Sequence, residues 1–439
     1  MSLFCISKKL FYYFLLQSFL MIALVIIIFI LGYLAIAFEH PLCLNKAASA
    51  LLTGSLCWLL YFLTTTSTDD ATANLLHHLG EISSILFFLL GAMTIVKIID
   101  SYNGFQIITN KITTTSKRKL LIIVCAITFF LSALLDNLTT AIVMASLCQK
   151  ILAEKEDRLW FAGMIVISAN AGGAWSPLGD VTTTMLWIGG QITAMNIILK
   201  TFIPSLAVCA LPLFIVYKKF KNARVQPMIK ETTQLKESNL VLIAGIVMLI
   251  FVPVFKTLTH MPPFMGMLTA LSFMWILTAV IDYKKKTEHA DSVSYALQKI
   301  DTPSILFFLG ILLAVSALDS FGILKVLADF LDSSLRNHYS IAIALGLLSA
   351  VVDNVPLVAA SQGMYDLSQY PTDHSFWEFL ALTTGTGGSA IIIGSAAGVA
   401  IMGIEKINFI WYLKKISWLA LLGFIAGVVV YIGQEYLFL

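Results

Sequence analysis

Runs of about 20 mostly apolar residues follow one another along nearly the whole chain, with short polar stretches between them. A helix needs a run of that length to cross a bilayer, and hydrocarbon offers no partner for an unpaired backbone N–H or C=O. The pattern therefore dictates an all-α polytopic membrane protein. Composition agrees: 59% of the 439 residues are hydrophobic and only 12% are charged, with a mean hydropathy of +0.89. The longest polar stretches, 217–236 and 283–299, read as loops, so no soluble domain is expected. The first apolar run, 10–38, is too long for a signal-peptide core and reads as a retained span.

The runs repeat. Ile85 opens ILFFLLGAMTIVKIIDS and Ile305 opens ILFFLGILLAVSALDS, an offset of 220. SALLDN at 132–137 returns as SAVVDN at 349–354, an offset of 217. NAGGAWSPLGD from Asn170 matches GTGGSAIIIGS from Gly385 with Gly172 and Gly173 on Gly387 and Gly388, an offset of 215. Three anchors in one order at nearly one spacing indicate an internal repeat.

Two anchored segments are not ordinary spans. Residues 120–149 are mostly apolar, with SALLDN at the centre and basic residues on both flanks, which fits a re-entrant hairpin; 340–366 has the same form. Residues 170–180 and 384–395 are too rich in glycine for a continuous helix, and Pro177 adds to the first, so both read as spans broken in mid-membrane. Each repeat then has about five spanning helices, one re-entrant hairpin and one broken helix. An odd number of crossings requires inverted topology. The expected order is an N-terminal extension (1–18), repeat one (19–217), a cytoplasmic linker (218–238) and repeat two (239–439). This arrangement puts all but six of the 28 basic residues on the cytoplasmic side, as the positive-inside rule asks. The six are Lys8, Lys9, Lys200, Lys256, Lys325 and Arg336; Lys8 and Lys9 argue against the orientation.

Inverted repeats with broken helices place a binding site near the midplane. The first tip supplies Ser132, Asp136, Asn137, Thr139 and Thr140; the second supplies Ser349, Asp353 and Asn354. The broken spans add Asn170, Ser176, Asp180, Thr182, Thr383, Thr384, Thr386, Ser389 and Ser395. Asp136 and Asp353 are the expected ion ligands, with Asp180 third. A carboxylate at that depth is costly and usually functional. Desolvation brings its titration towards neutral pH, so it can hold a proton or a sodium ion, and competition between the two couples their exchange. Hydroxyls, amides and freed carbonyls suit hard cations. In the alternative reading, the Asp–Asn pairs cap half-helices.

Other features carry less. The six cysteines have no C-x-x-C spacing, and there is no phosphate-binding loop, H-E-x-x-H or G-x-S-x-G, so neither ATP hydrolysis nor enzymatic catalysis is indicated and no cofactor is expected. The histidines read as loop or span-end residues, Lys97 as a snorkelling lysine, Trp411, Tyr412 and Trp418 as an interfacial belt, and Lys284–Lys286 as a topology signal rather than a nucleic-acid patch.

GEISSILFFLLGAMTIVKIIDSYNGF (80–105), SALLDNLTTAIVM (132–144), ANAGGAWSPLGDVTTTMLWIGGQ (169–191), SAVVDNVPLVAAS (349–361) and TGTGGSAIIIGSAAGVAIMG (384–403) together resemble the NhaD-type sodium/proton antiporters of the ion-transporter superfamily. The resemblance covers about residue 20 to the end. It implies a multi-pass antiporter of the bacterial inner (plasma) membrane that exports sodium, and lithium besides, against inward protons. It also implies a homodimer. One departure is Lys97, where the resemblance implies an acidic residue. Three alternatives stand beside this reading: an anion carrier of the same superfamily for dicarboxylates, citrate or arsenite, a membrane enzyme using Asp136 and Asp353 as an aspartyl pair, and a passive channel. Carboxylates at both tips disfavour a bare anion.

Overall fold

The computed structural model describes residues 20–36, 39–42, 44–65, 67–109, 114–221, 223–225, 237–285 and 292–438. The N-terminal extension, Lys8, Lys9 and residues 222 and 226–236 of the expected linker lie outside the described residues. No β-strand is formed among the described residues.

The first half runs α1 (Leu20–Ile36), α2 (Glu39–Leu42), α3 (Lys46–Thr64), α4 (Thr68–Ser101), α5 (Gly104–Thr109), α6 (Lys117–Leu135), α7 (Asn137–Ile151), α8 (Lys155–Gly173), α9 (Val181–Ile188) and α10 (Ala194–Lys219). The second runs α11 (Ser238–Thr259), α12 (Pro263–Lys285), α13 (Ser292–Lys299), α14 (Thr302–Ser320), α15 (Ile323–Leu335), α16 (His338–Leu348), α17 (Asn354–Met364), α18 (Ser375–Gly387), a 3₁₀ turn (Ile392–Gly394), α19 (Ala396–Glu405), α20 (Phe409–Lys415) and α21 (Ser417–Phe438). Eight described helices are long and apolar enough to cross a membrane, or nine if α19 and α20, bent by 116°, form one span.

Several expectations change in detail. The apolar run that opens at Ile85 belongs to a longer helix, α4, that starts at Thr68; Asp69 and Asp70 in its first turn favour that start. His77 and His78 are therefore helical rather than loop residues. At 19 residues α6 is long enough to span by itself, whereas its counterpart α16 has 11. The broken spans stay helical through Gly173 and Gly387, so the breaks are 174–180 and 388–395. Short helices α5 and α15 follow the third span of each half.

The chain folds as two compact units, each drawing on both halves of the sequence. One takes Met1–Leu86, Asp301–Arg336 and Ala359–Asp366. Here α3 lies against α14 so closely that a Cβ on Gly54 would sit 2.6 Å from the Gly310 carbonyl oxygen. Small residues allow such backbone approach between membrane helices. Trp58 Nε1 donates to the Leu313 carbonyl at 2.9 Å, and the Asn74 amide donates to Ser320 Oγ at 3.0 Å.

The other unit takes Phe87–Ile300, Asn337–Val358 and Leu367–Leu439. Its centre is α8, whose Phe161, Met164, Ile165, Val166 and Ile167 are fully buried against α6, α7, α10 and α19. Burial on every face explains why α8 shows no polar stripe. The sequence repeat returns here as repeated contacts. A Cβ on Gly172 would fall 2.2 Å from the Phe129 carbonyl oxygen, and one on Gly387 would fall 1.9 Å from that of Gly346. A Cβ on Gly179 would lie 2.8 Å from the Ser132 oxygen, and one on Gly394 would lie 2.8 Å from the Ser349 oxygen.

Candidate ion-binding site

All of the expected site residues lie in this second unit. The chain breaks between α6 and α7 at Asp136, whose φ of 76° is rare for a residue with a side chain. Its carboxylate compensates by capping α7: Oδ1 accepts from the Thr139 N–H at 2.7 Å and Oδ2 from Thr139 Oγ1 at 3.0 Å. Asp353 accepts from the Val355 N–H at 3.2 Å. Both aspartates are half-buried and do the capping work weighed above as the alternative to ion binding.

The asparagines beside them reach inward. The Asn137 amide donates to Asn170 Oδ1 at 3.1 Å and to Asp180 Oδ2 at 3.3 Å. The Asn354 amide donates to the same Asp180 Oδ2 at 3.1 Å. The Asn170 amide in turn donates to Ser389 Oγ and Ser395 Oγ, both at 2.9 Å. Residues from both tips and both broken spans thus form one buried network. Asp180, 3% exposed, is its carboxylate.

Asp180 and Ser395 hold equivalent places. Asp180 (φ −143°, ψ 149°) caps α9 through the Thr182 N–H at 3.3 Å, and Ser395 (φ −145°, ψ 151°) caps α19 through the Gly398 N–H at 3.2 Å. The C-terminal ends are held as well. Lys256 Nζ donates to the Trp187 carbonyl at 2.5 Å in the last turn of α9, and Arg158 Nε pairs with Glu405 at 3.2 Å at the end of α19. Ser132 Oγ donates to the Ala169 carbonyl at 2.6 Å, and Ser349 Oγ to the Thr384 carbonyl at 2.7 Å, fixing each tip to its broken span. Ser176 Oγ donates to the Ala133 carbonyl at 2.6 Å.

The expected hydroxyls divide. Thr384 and Thr386 donate to carbonyls of their own helix, those of Leu380 and Leu382. Thr140 Oγ1 and Thr182 Oγ1, on the first turns of α7 and α9, are buried and have no hydrogen-bond partner among the described residues. Asp136 and Asp353 lie within electrostatic reach of Asp180, yet no three His, Cys, Asp or Glu side chains among the described residues gather closely enough to hold a metal. A cation at this site would be met by one central carboxylate and by neutral oxygens of amides, hydroxyls and broken backbone. That donor set suits a monovalent hard ion better than a divalent one.

A sequence profile described as "Citrate transporter" matches residues 33–387. The chain belongs to that family. Within it the chain is of the NhaD antiporter type, a transporter and not an enzyme. It is 46% identical over 411 residues to sodium/proton antiporter 1 of Arabidopsis thaliana, covering 93% of this chain and 71% of the relative. It is 31% identical over 439 residues to the Na(+)/H(+) antiporter NhaD of Vibrio cholerae, covering 93% and 90%. Among solved structures, MtrF of Neisseria gonorrhoeae, described as one of a class of antimetabolite efflux pumps, aligns with a TM-score of 0.52 at 11% identity over 94% of each chain; at that identity the likeness is one of fold.

The family match stops short of Ser389 and Ser395, although both bond Asn170. Tyr412 is also corrected: it is fully buried and donates to the Ser389 carbonyl at 2.9 Å rather than standing in an interfacial belt. α19 and α20 meet at a bend of 116° just ahead of it, and no local signal announces that bend. Lys97 bonds Asp100 at 3.2 Å, one turn away on its own helix.

Proposed function

We propose that the chain exchanges sodium for protons across its membrane, with Asp180 as the central carboxylate of the cation site and Asp136 and Asp353 as flanking charges that also cap the tips. The observation that carries this reading is the convergence of two amides, Asn137 from one tip and Asn354 from the other, on a single Asp180 oxygen. An oxygen so placed accepts those donors when ionised and loses part of that bonding when it takes a proton. Sodium and a proton then compete for one buried negative charge, and such competition is sufficient to couple their movements. The orphaned hydroxyls of Thr140 and Thr182 supply further oxygen ligands from neighbouring first turns. The names of the plant and bacterial relatives agree with this exchange.

Citrate, named in the profile's description, would meet three carboxylates and no basic side chain among these residues. Their mutual repulsion argues against it. The sequence-based expectations of inverted repeats, re-entrant tips and a bacterial inner membrane belong to the same proposal. The 46% identity to a plant protein makes a membrane of a plant cell the outcome to weigh against the last of these.

Acid-loaded vesicles carrying the protein provide the test. Sodium, lithium, potassium, citrate and arsenite are added in turn while a pH-sensitive dye reports proton efflux. Efflux on adding sodium, and lost in Asp180→Asn, supports the proposal. Silence with every cation and a response to citrate would move the chain to anion transport.

A further inference from the structure

Glu378 lies in the first turn of α18 and is 1% exposed. Its Oε1 accepts a hydrogen bond from the Asn196 amide of α10. Its Oε2 is buried and has no hydrogen-bond partner among the described residues. An ionised carboxylate with one oxygen unsatisfied is expensive to bury, and removing that cost requires a counter-ion or a proton.

The neighbouring elements do not supply the counter-ion. Lys200 of α10 is the nearby cation, and it pairs with Glu435 of α21 at 2.6 Å. Asp373, just ahead of α18, adds a second negative charge and is itself held by Thr193, whose N–H and Oγ1 donate to it at 2.6 and 2.8 Å. His374 follows; burial shifts its imidazole below the ordinary histidine range, which disfavours its charged form. His338 and Tyr339 open α16, with the His338 ring 5.4 Å from that of His374. The Tyr431 hydroxyl of α21 is close enough to the Glu378 side chain to interact with it, and it donates to the Ser375 carbonyl at 3.1 Å. The surroundings of Glu378 are thus more anionic than cationic.

Its position on α18 connects this group to the cation site. Seven residues make close to two helical turns, so Glu378 and Gly385 share a face of α18, about 10 Å apart along the axis. The Cβ position of Gly385 is 3.4 Å from Asp180 Oδ2. On α10, five residues beyond Asn196, Thr201 donates to the Ala174 carbonyl at 3.2 Å, at the start of the break that ends in Asp180. Lys200, beside Glu378, is among the few basic residues that the charge bias assigns to the non-cytoplasmic side.

We propose that Glu378 is a second proton-exchanging carboxyl, two helical turns from the cation site on the same face of α18, through which protons pass between the non-cytoplasmic side and Asp180. The assignment rests on the sodium/proton reading above. In each half-cycle Glu378 takes one proton from water on Oε2 and passes one on, with no other bond made or broken.

The test compares purified wild type with Glu378→Gln and Glu378→Asp in proteoliposomes. Sodium-driven proton flux is followed across a pH series, and radiolabelled sodium binding is followed on the solubilised protein. The expected result for Glu378→Gln is sodium binding like wild type, flux lower by roughly 100-fold, and loss of one limb of the pH profile; Glu378→Asp restores part of the flux with the profile displaced. Unaltered flux and profile in Glu378→Gln, with an active wild type, overturn the assignment of Glu378 alone. Parallel loss of sodium binding and flux in both variants makes Glu378 a packing residue and also overturns it. A wild type that moves no protons on adding sodium overturns the exchange reading, and this one with it.

Discussion

The two helix breaks, between α8 and α9 and between α18 and α19, end in nearly the same backbone conformation and carry different chemistry. Their breaks follow matching glycine contacts, and their capping residues differ by only 2° in φ and in ψ. Yet the first cap is Asp180 and the second is Ser395. One half gives the site a charge and the other gives it a hydroxyl. The backbone contacts recur while the central capping charge occurs once, and in the proposed site one central charge suits competition between two monovalent cations. A symmetric pair of carboxylates there would call for two cations or for a proton shared between them.

Four measurements break or sharpen this comparison. Asp180→Asn is expected to lower sodium-driven proton flux by at least about 100-fold, or roughly 2.7 kcal/mol, while Ser395→Ala costs less than about ten-fold, or 1.4 kcal/mol. Equal losses would mean that charge is not what separates the two caps. Gly172→Ala and Gly387→Ala each drive a Cβ into a backbone carbonyl, and each is expected to destabilise by about 2 kcal/mol or more, read as a lower unfolding temperature in detergent. Tolerance of one and collapse of the other would end the structural equivalence. Asn137→Ala and Asn354→Ala should each weaken sodium activation by about ten-fold, since each removes one of two donors to the same charged oxygen. A tip whose asparagine is silent would be a tip that does not serve the site. Ser132→Ala and Ser349→Ala should cost the least, about 0.6–1 kcal/mol each, measured by thermal unfolding.

Much of this was legible in the sequence, for identifiable reasons. Glycine, proline and a buried Asp–Asn pair in an apolar run leave local marks, so the breaks near Asp136, Asp353, Asp180 and Ser395 could be located to within a few residues. Roles were harder to read than places. Asp136 and Asp353 cap their helices, and the inward contacts fall to Asn137 and Asn354, because adjacent residues on a first turn point in different directions and sequence does not say which faces the partner. In the proposed site Asp180 ranks above them, and that ranking draws on the crossing of four segments. Tyr412 and Glu378 were missed because each depends on neighbours far along the chain.

The shared oxygen of Asp180 has one more consequence. Two asparagines, one from each half of the chain, draw on the same lone pairs, so whatever occupies that atom is felt at both tips at once. In the proposed cycle, loading or emptying that atom changes the hydrogen bonding of Asn137 and Asn354 together. Two tips far apart in the sequence thus answer to one atom.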